Sequence, residues 1–164
     1  MSGKTVASQE YEELVRSLED TPRMITQLVS DVGESSVRER SRENAWSVVE
    51  HICHLRDIEK EGHAVRITKL LTEDQPFLED IDGDRLAVER DYINQDFNAA
   101  LEAFIKARAV NIEAIRDLSA GQLSKSGMFG NTGPLTLLGL LNKMREHDRE
   151  HINELTQLPT QLHP

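Results

Sequence analysis

His147 and His151 stand four residues apart in the run Leu135 to Leu155, LTLLGLLNKMREHDREHINEL. Apolar residues recur there at three- and four-residue steps, the pattern of an amphipathic helix. The stripe Leu137, Leu140, Leu141, Met144 extends by the same steps onto His147, His151 and Leu155. Side chains four apart share one helix face, so two imidazoles stand together where the pattern calls for leucine. Neutral imidazoles are ligands for divalent metals. A lone H-x-x-x-H is a weak motif, because a buried histidine is more often hydrogen-bonded core.

A second pair, His51 and His54, is three residues apart on a helical run. His51 lies inside the apolar stripe of Val48, Leu55 and Ile58. His54 lies at its edge, beside Glu50, Asp57 and Glu61. A carboxylate there could accept the outer ring N–H of a ligating imidazole and fix its tautomer. The pattern alone does not say which of the two would bind metal. Glu50 completes an S-x-x-E capping box with Ser47; a general base beside the metal is its other candidate role. Arg108, between Phe104 and Ile112, is a candidate clamp for an acidic substrate, a partner for a buried carboxylate, or a side chain reaching solvent. Cys53 points away from His54 and reads as packed core, and Trp46 as an anchor at the start of its helix. Asp80 and Asp82 read as a solvated acidic loop. His63 and His163 show no partner and read as surface residues.

The elements that must carry these residues are helical. Helix one starts near Ser8 or Gln9, with Tyr11, Leu14, Val15 and Leu18 inward. Thr21-Pro22, a cap followed by a first-turn proline, predicts a kink or break before the pattern resumes and ends at Gly33. Residues 34–46 are polar and irregular. Helix two runs from the capping box to about Leu71, and residues 72–91 form a long acidic connection. Helix three spans about Ile93 to Leu118, and a glycine-rich loop covers 119–133. Pro134 opens helix four, which Pro159 stops after Leu158. The expected fold is all-α, an antiparallel four-helix bundle with a kinked or broken first helix. Its domain spans 8–158, with tails at 1–7 and 159–164.

Composition narrows the function classes. Over 164 residues, apolar types make up 38% and aromatics only 4%, which suits helices better than sheets. The formal net charge of −10 repels phosphate backbones, and Arg38, Arg40 and Arg42 alternate with Glu39 and Glu43, so no nucleic-acid surface is expected. No apolar run approaches the roughly 20 residues of a membrane span. One cysteine excludes an internal disulfide. A cytoplasmic protein is expected.

Trp46-Ser47-x-x-Glu50-x-x-x-His54-Leu55-x-Asp57-x-Glu59 resembles the first signature of the DinB-like metalloenzymes, a superfamily that includes bacillithiol and mycothiol transferases. Thr21-Pro22, Phe104-x-x-x-Arg108, and Gly133-x-x-Thr136-Leu137 leading to His147-x-x-x-His151 resemble the rest, over about residues 20–157. The resemblance implies a four-helix bundle, often a homodimer, with one divalent metal on His54, His147 and His151. It implies S-transfer, isomerisation or hydrolysis through a metal-activated thiol or water. His51 departs from the usual aliphatic residue, and as a fourth ligand, a spectator or a packed polar group it is undecided. Three imidazoles leave an open position, the arrangement of a catalytic site. Zinc is the default ion, and nickel, manganese and iron also accept imidazole. The expected activity is that of a metal-dependent thiol S-transferase, using a low-molecular-weight thiol, or of a hydrolase, acting on a small molecule. A non-catalytic metal-binding module is the alternative. Glu50 and Arg108 are the candidate catalytic groups.

Overall fold

The computed structural model describes residues 6–162. Helix α1, Val6–Val29, runs without interruption through Pro22, so the expected break is absent. Proline lacks the N–H that would bond the carbonyl four residues back. That carbonyl belongs to Leu18, and it accepts instead from Arg108 Nη1 at 2.8 Å. Thr21, the supposed cap, sits mid-helix and donates to Asp148 at 2.8 Å. A partner from another helix thus replaces the bond that proline removes.

Ser47 caps helix α2, Val48–Asp57, and the capping box with Glu50 is complete. The helix continues through a π-helical segment, Ile58–His63, into α3, Ala64–Thr72. In that segment the Ala64 N–H bonds the Glu59 carbonyl, an i→i+5 pairing. The wider winding rotates the downstream turns relative to an ideal α-helix. An α-helical wheel therefore misplaces His63, expected at the surface and found 5% exposed. Helix α4, Gly83–Glu89, capped by Asp82, and a 3₁₀ turn at Tyr92–Asn94 come next.

Helix α5 spans Phe97–Ile115, with Asp96 as its cap, and a short α6 covers Ala120–Leu123. The last helix, α7, is Leu137–Leu162 and passes through Pro159 rather than stopping there. The connections hold a feature that helix-length periodicity cannot show. Strands β1, Phe77–Leu78, β2, Ser126–Phe129, and β3, Gly133–Thr136, form one sheet in that order. The β1–β2 pair is parallel and the β2–β3 pair antiparallel. Pro134 belongs to the edge strand β3, a place that tolerates a missing donor, and not to the start of α7. The sheet ties the 72–91 connection to the segment that launches α7. Residues 1–5, most of the expected first tail, and His163 lie outside the described residues.

Two apolar clusters fill the bundle. One gathers Ile25, Val49, Ile52, Phe104 and Leu155. The other gathers Leu14, Leu18, Ile67, Ile112 and Met144. Along each long helix a polar residue separates the two: Thr21 on α1, Glu59 in the π segment, Arg108 on α5 and Asp148 on α7. Arg108 is 1% exposed. It donates to both Glu59 carboxylate oxygens at 2.8 and 2.9 Å, to both Asp148 oxygens at 2.8 and 2.9 Å, and to Leu18. Those bonds use all the donors a guanidinium has. Asn111 adds a 2.8 Å bond to Glu59.

Candidate metal centre

The inward face of α7 carries His147 and His151 one turn apart, and α2 carries His51 and His54 opposite. His54 Nε2 lies 2.9 Å from His147 Nε2, and His147 Nε2 lies 3.1 Å from His151 Nε2. The three ligand atoms all lie within 4.8 Å of one another. An ion with metal–nitrogen bonds of 2.0–2.1 Å in tetrahedral geometry spreads its ligand nitrogens about 3.3 Å apart, so the spacing fits a single ion. His54, His147 and His151 form a group able to hold one.

Protonation favours the same use. Burial, then the neighbouring His147 and His51, lower the pKa of His54 to about 3. Burial lowers that of His51 to about 4. His151 and His147 are also shifted down, in both cases chiefly by burial. All four rings are therefore neutral at pH 7, the form that binds metal. A cation at the meeting point of the three Nε2 atoms would be bound by their lone pairs, with each ring proton moved to Nδ1.

Trp46 does more than anchor the helix start. Its ring lies 4.8 Å from that of His54 and stacks at 13° on His151, centroids 6.1 Å apart. Gly83, at the start of α4, packs against the same ring: a Cβ there would fall 2.6 Å from His54 Cε1. The site opens into a cleft of about 870 Å³ lined by Arg42, Trp46, Gly83, Asp84, Glu150 and Glu154 together with the four histidines. The 72–91 connection thus contributes a wall through Gly83 and Asp84.

The carboxylates expected to support His54 are committed elsewhere. Glu50 bonds the Ser47 N–H at 2.8 Å and Arg40 Nε at 2.9 Å. Burial works to raise its pKa, but Arg40 and Ser47 outweigh burial and hold it low. Asp57 accepts from Tyr92 at 2.6 Å and from Arg56 and Arg90, and Glu61 accepts from Arg90. Neither Glu50 nor Arg108 lines the cleft. Support goes instead to His151, whose Nδ1 lies 2.8 Å from His51 Nδ1. His51 Nε2 in turn lies 3.3 Å from Glu154. Glu154 escaped the sequence reading, although its place three residues past His151 put it one turn along the same face. His63, both ring nitrogens buried without a protein partner, packs edge-on against His147 with centroids 5.9 Å apart. Cys53 is buried as expected, and burial pushes its thiol up to about 11.

The profile of the DinB superfamily matches residues 17–155. The chain belongs to the DinB superfamily. A protein of Oceanobacillus iheyensis named "putative metal-dependent hydrolase" is 23% identical over 146 residues, 89% of this DinB chain and 84% of that one. Among solved structures, YfiT from Bacillus subtilis, described as a probable metal-dependent hydrolase with an unusual four-helix bundle topology, superposes with a TM-score of 0.86. It is 20% identical, covering 99% of this chain and 91% of YfiT. The four-helix bundle protein TT2238 gives a TM-score of 0.63 at 19% identity, over 88% of this chain and 97% of its own. These likenesses establish the four-helix DinB bundle as the fold. No helix among the described residues is long and apolar enough to cross a membrane.

Proposed function

We propose that this protein is a metal-dependent hydrolase of small molecules, with the ion held by His54, His147 and His151. The observation that carries the reading is the convergence of three neutral Nε2 atoms, 2.9 and 3.1 Å apart, at the floor of an open cleft. A divalent ion with three imidazole ligands keeps an open position and lowers the pKa of a bound water to about 7. Zinc is the default occupant, with nickel, manganese and iron as alternatives.

The chain's own residues divide the remaining work. Trp46 and Gly83 fix the His54 ring. Asp84, Glu150 and Glu154 line the cleft and are its available proton acceptors. With Arg42 as the cleft's counter-charge, these acids disfavour anionic substrates, including acidic low-molecular-weight thiols. That weighs the reading toward hydrolysis and away from thiol S-transfer. Glu50 and Arg108 act by positioning: one locks the start of α2, the other locks α5 to α7. Homodimerisation belongs to the same proposal and rests on the family resemblance.

The test pairs elemental analysis with turnover. We expect about one equivalent of metal per chain, and hydrolysis of one or more members of a panel of simple amides and esters. His147→Ala should abolish both, since two imidazoles hold a divalent ion poorly. Full metal occupancy with turnover only of thiols with electrophiles would assign S-transfer instead. Full occupancy with no turnover in either panel would favour a binding module.

A further inference from the structure

We infer that Glu154 and His51 form an outer chain that positions His151, making His51 a positioning residue and not a fourth ligand. The inference rests on the metal reading above, but its evidence lies on the opposite side of the His151 ring. His151 turns Nε2 toward His147, at 3.1 Å, and Nδ1 toward His51 Nδ1, at 2.8 Å. His51 then turns its remaining nitrogen, Nε2, to Glu154 Oε2 at 3.3 Å. Both His51 nitrogens are engaged away from the point where the three Nε2 atoms meet.

The direction of each hydrogen bond is set by proton bookkeeping. A metal-binding Nε2 must present its lone pair, so the His151 proton sits on Nδ1. That N–H donates to His51 Nδ1, which must accept. The His51 proton therefore sits on Nε2 and faces the ionised Glu154 carboxylate across 3.3 Å, an electrostatic contact with an oxygen that can only accept. Every donor meets an acceptor and neither imidazole needs a second proton. The negative end of the chain is the carboxylate, so His151 is made more basic toward the ion. Trp46 steadies both rings, stacked on His151 and edge-on to His51 with centroids 5.6 Å apart. The Nδ1 atoms of His54 and His147 have no protein partner. His151 is thus the one ligand of the three, among the described residues, whose outer ring nitrogen has a hydrogen-bond partner in the protein.

The experiment uses the full ¹⁵N-labelled chain loaded with zinc alone. We expect one zinc per chain and a through-hydrogen-bond ¹⁵N–¹⁵N coupling between His151 Nδ1 and His51 Nδ1, with the proton on His151. His51→Leu should keep the fold and one zinc site but weaken zinc binding about 10- to 100-fold in a chelator competition. Glu154 is 60% exposed at its side chain, so Glu154→Ala tests the chain without endangering the core. It should weaken zinc less than His51→Leu, and Glu154→Gln, which keeps an acceptor oxygen, should recover most of the loss. Zinc bound without the coupling, or bound by His51→Leu as tightly as by the parent, would overturn the inference while leaving the metal reading intact. Two zinc ions per chain, falling to one in His51→Leu, would overturn it by making His51 and Glu154 ligands of a second ion. Failure of the parent chain to bind zinc would overturn the inference, and the absence of any bound divalent metal in the elemental analysis would overturn the metal reading as well.

Discussion

At the scale of single residues, the centre depends on how tightly its rings are held. Gly83 is the sharpest case. A methyl group there would fall 2.6 Å from His54 Cε1 and 2.8 Å from Nδ1, inside any real contact. The ring must then move, and a ligand displaced by a fraction of an ångström loses alignment with its ion. Gly83→Ala should weaken metal binding about 10-fold or more, the range seen when a ligand's support is lost, while thermal stability changes little. A chelator competition on the purified variant checks the first part and a melting curve the second. An unchanged metal affinity would show that α4 yields more easily than the ring. His54, His147 and His151 were legible in the sequence through their spacing, since an i, i+4 pair on an apolar face is a local signal. The choice of His54 over His51 came from family resemblance. Which nitrogen of each ring faces the centre is set by packing between α2 and α7, and no periodicity carries that.

At the scale of elements, two features that look like defects in a helix are where the polar layer is built. Pro22 removes the donor for the Leu18 carbonyl, and the π segment brings Glu59 into the core; both meet Arg108. Capping boxes and stripes were readable because they are local, whereas these partners are distant in sequence. A buried cation bonded to two buried carboxylates resists removal of one member, since uncompensated charge stays behind. Arg108→Met should therefore cost about 3–5 kcal/mol in stability, read by urea unfolding. Replacing the group together, Arg108→Met with Glu59→Leu and Asp148→Leu, should recover much of that loss. If it recovers none, the layer contributes packing specificity beyond charge balance. Pro22→Ala should change stability by less than about 1 kcal/mol, because the restored N–H and Arg108 then compete for one carbonyl. The three-stranded sheet was missed for a related reason. Two- and four-residue strands are too short to show alternation, and their pairing joins residues far apart in the chain.

At the scale of the whole molecule, four neutral histidines at the floor of one cleft make stability depend on pH in a defined direction. In the unfolded chain a histidine titrates near 6.5. In the folded, metal-free protein burial lowers His51 to about 4 and His54 to about 3, and His147 and His151 are lowered too. Between those values the unfolded state binds more protons than the folded one, so stability rises with pH there. The contribution is fully present above about pH 6.5 and is lost progressively as pH falls toward the folded values. Each such histidine adds a slope of up to about 1.4 kcal/mol per pH unit. The carboxylates held low, Glu50 and Asp57, act only below their ordinary range near 4. Glu154, raised by burial and by Glu150, opposes the histidines just above that range, and the buried His63, also lowered chiefly by burial, adds to them, so the histidines dominate the interval from 6.5 down to about 4.5. Chelator-treated protein should lose several kcal/mol of unfolding free energy between pH 7 and pH 5, measured by urea titration at each pH. Zinc at saturating concentration should raise stability at pH 7 and lose much of that gain at pH 5, because protons and the ion compete for the same lone pairs. Replacing His51 and His54 together by leucine should reduce the slope of the metal-free profile, and His147, His151 and His63, also lowered by burial, should keep the rest of it. A parent profile already flat between pH 5 and pH 7 would mean that the rings are solvated enough to charge in place, and that the cleft is wetter than its burial implies.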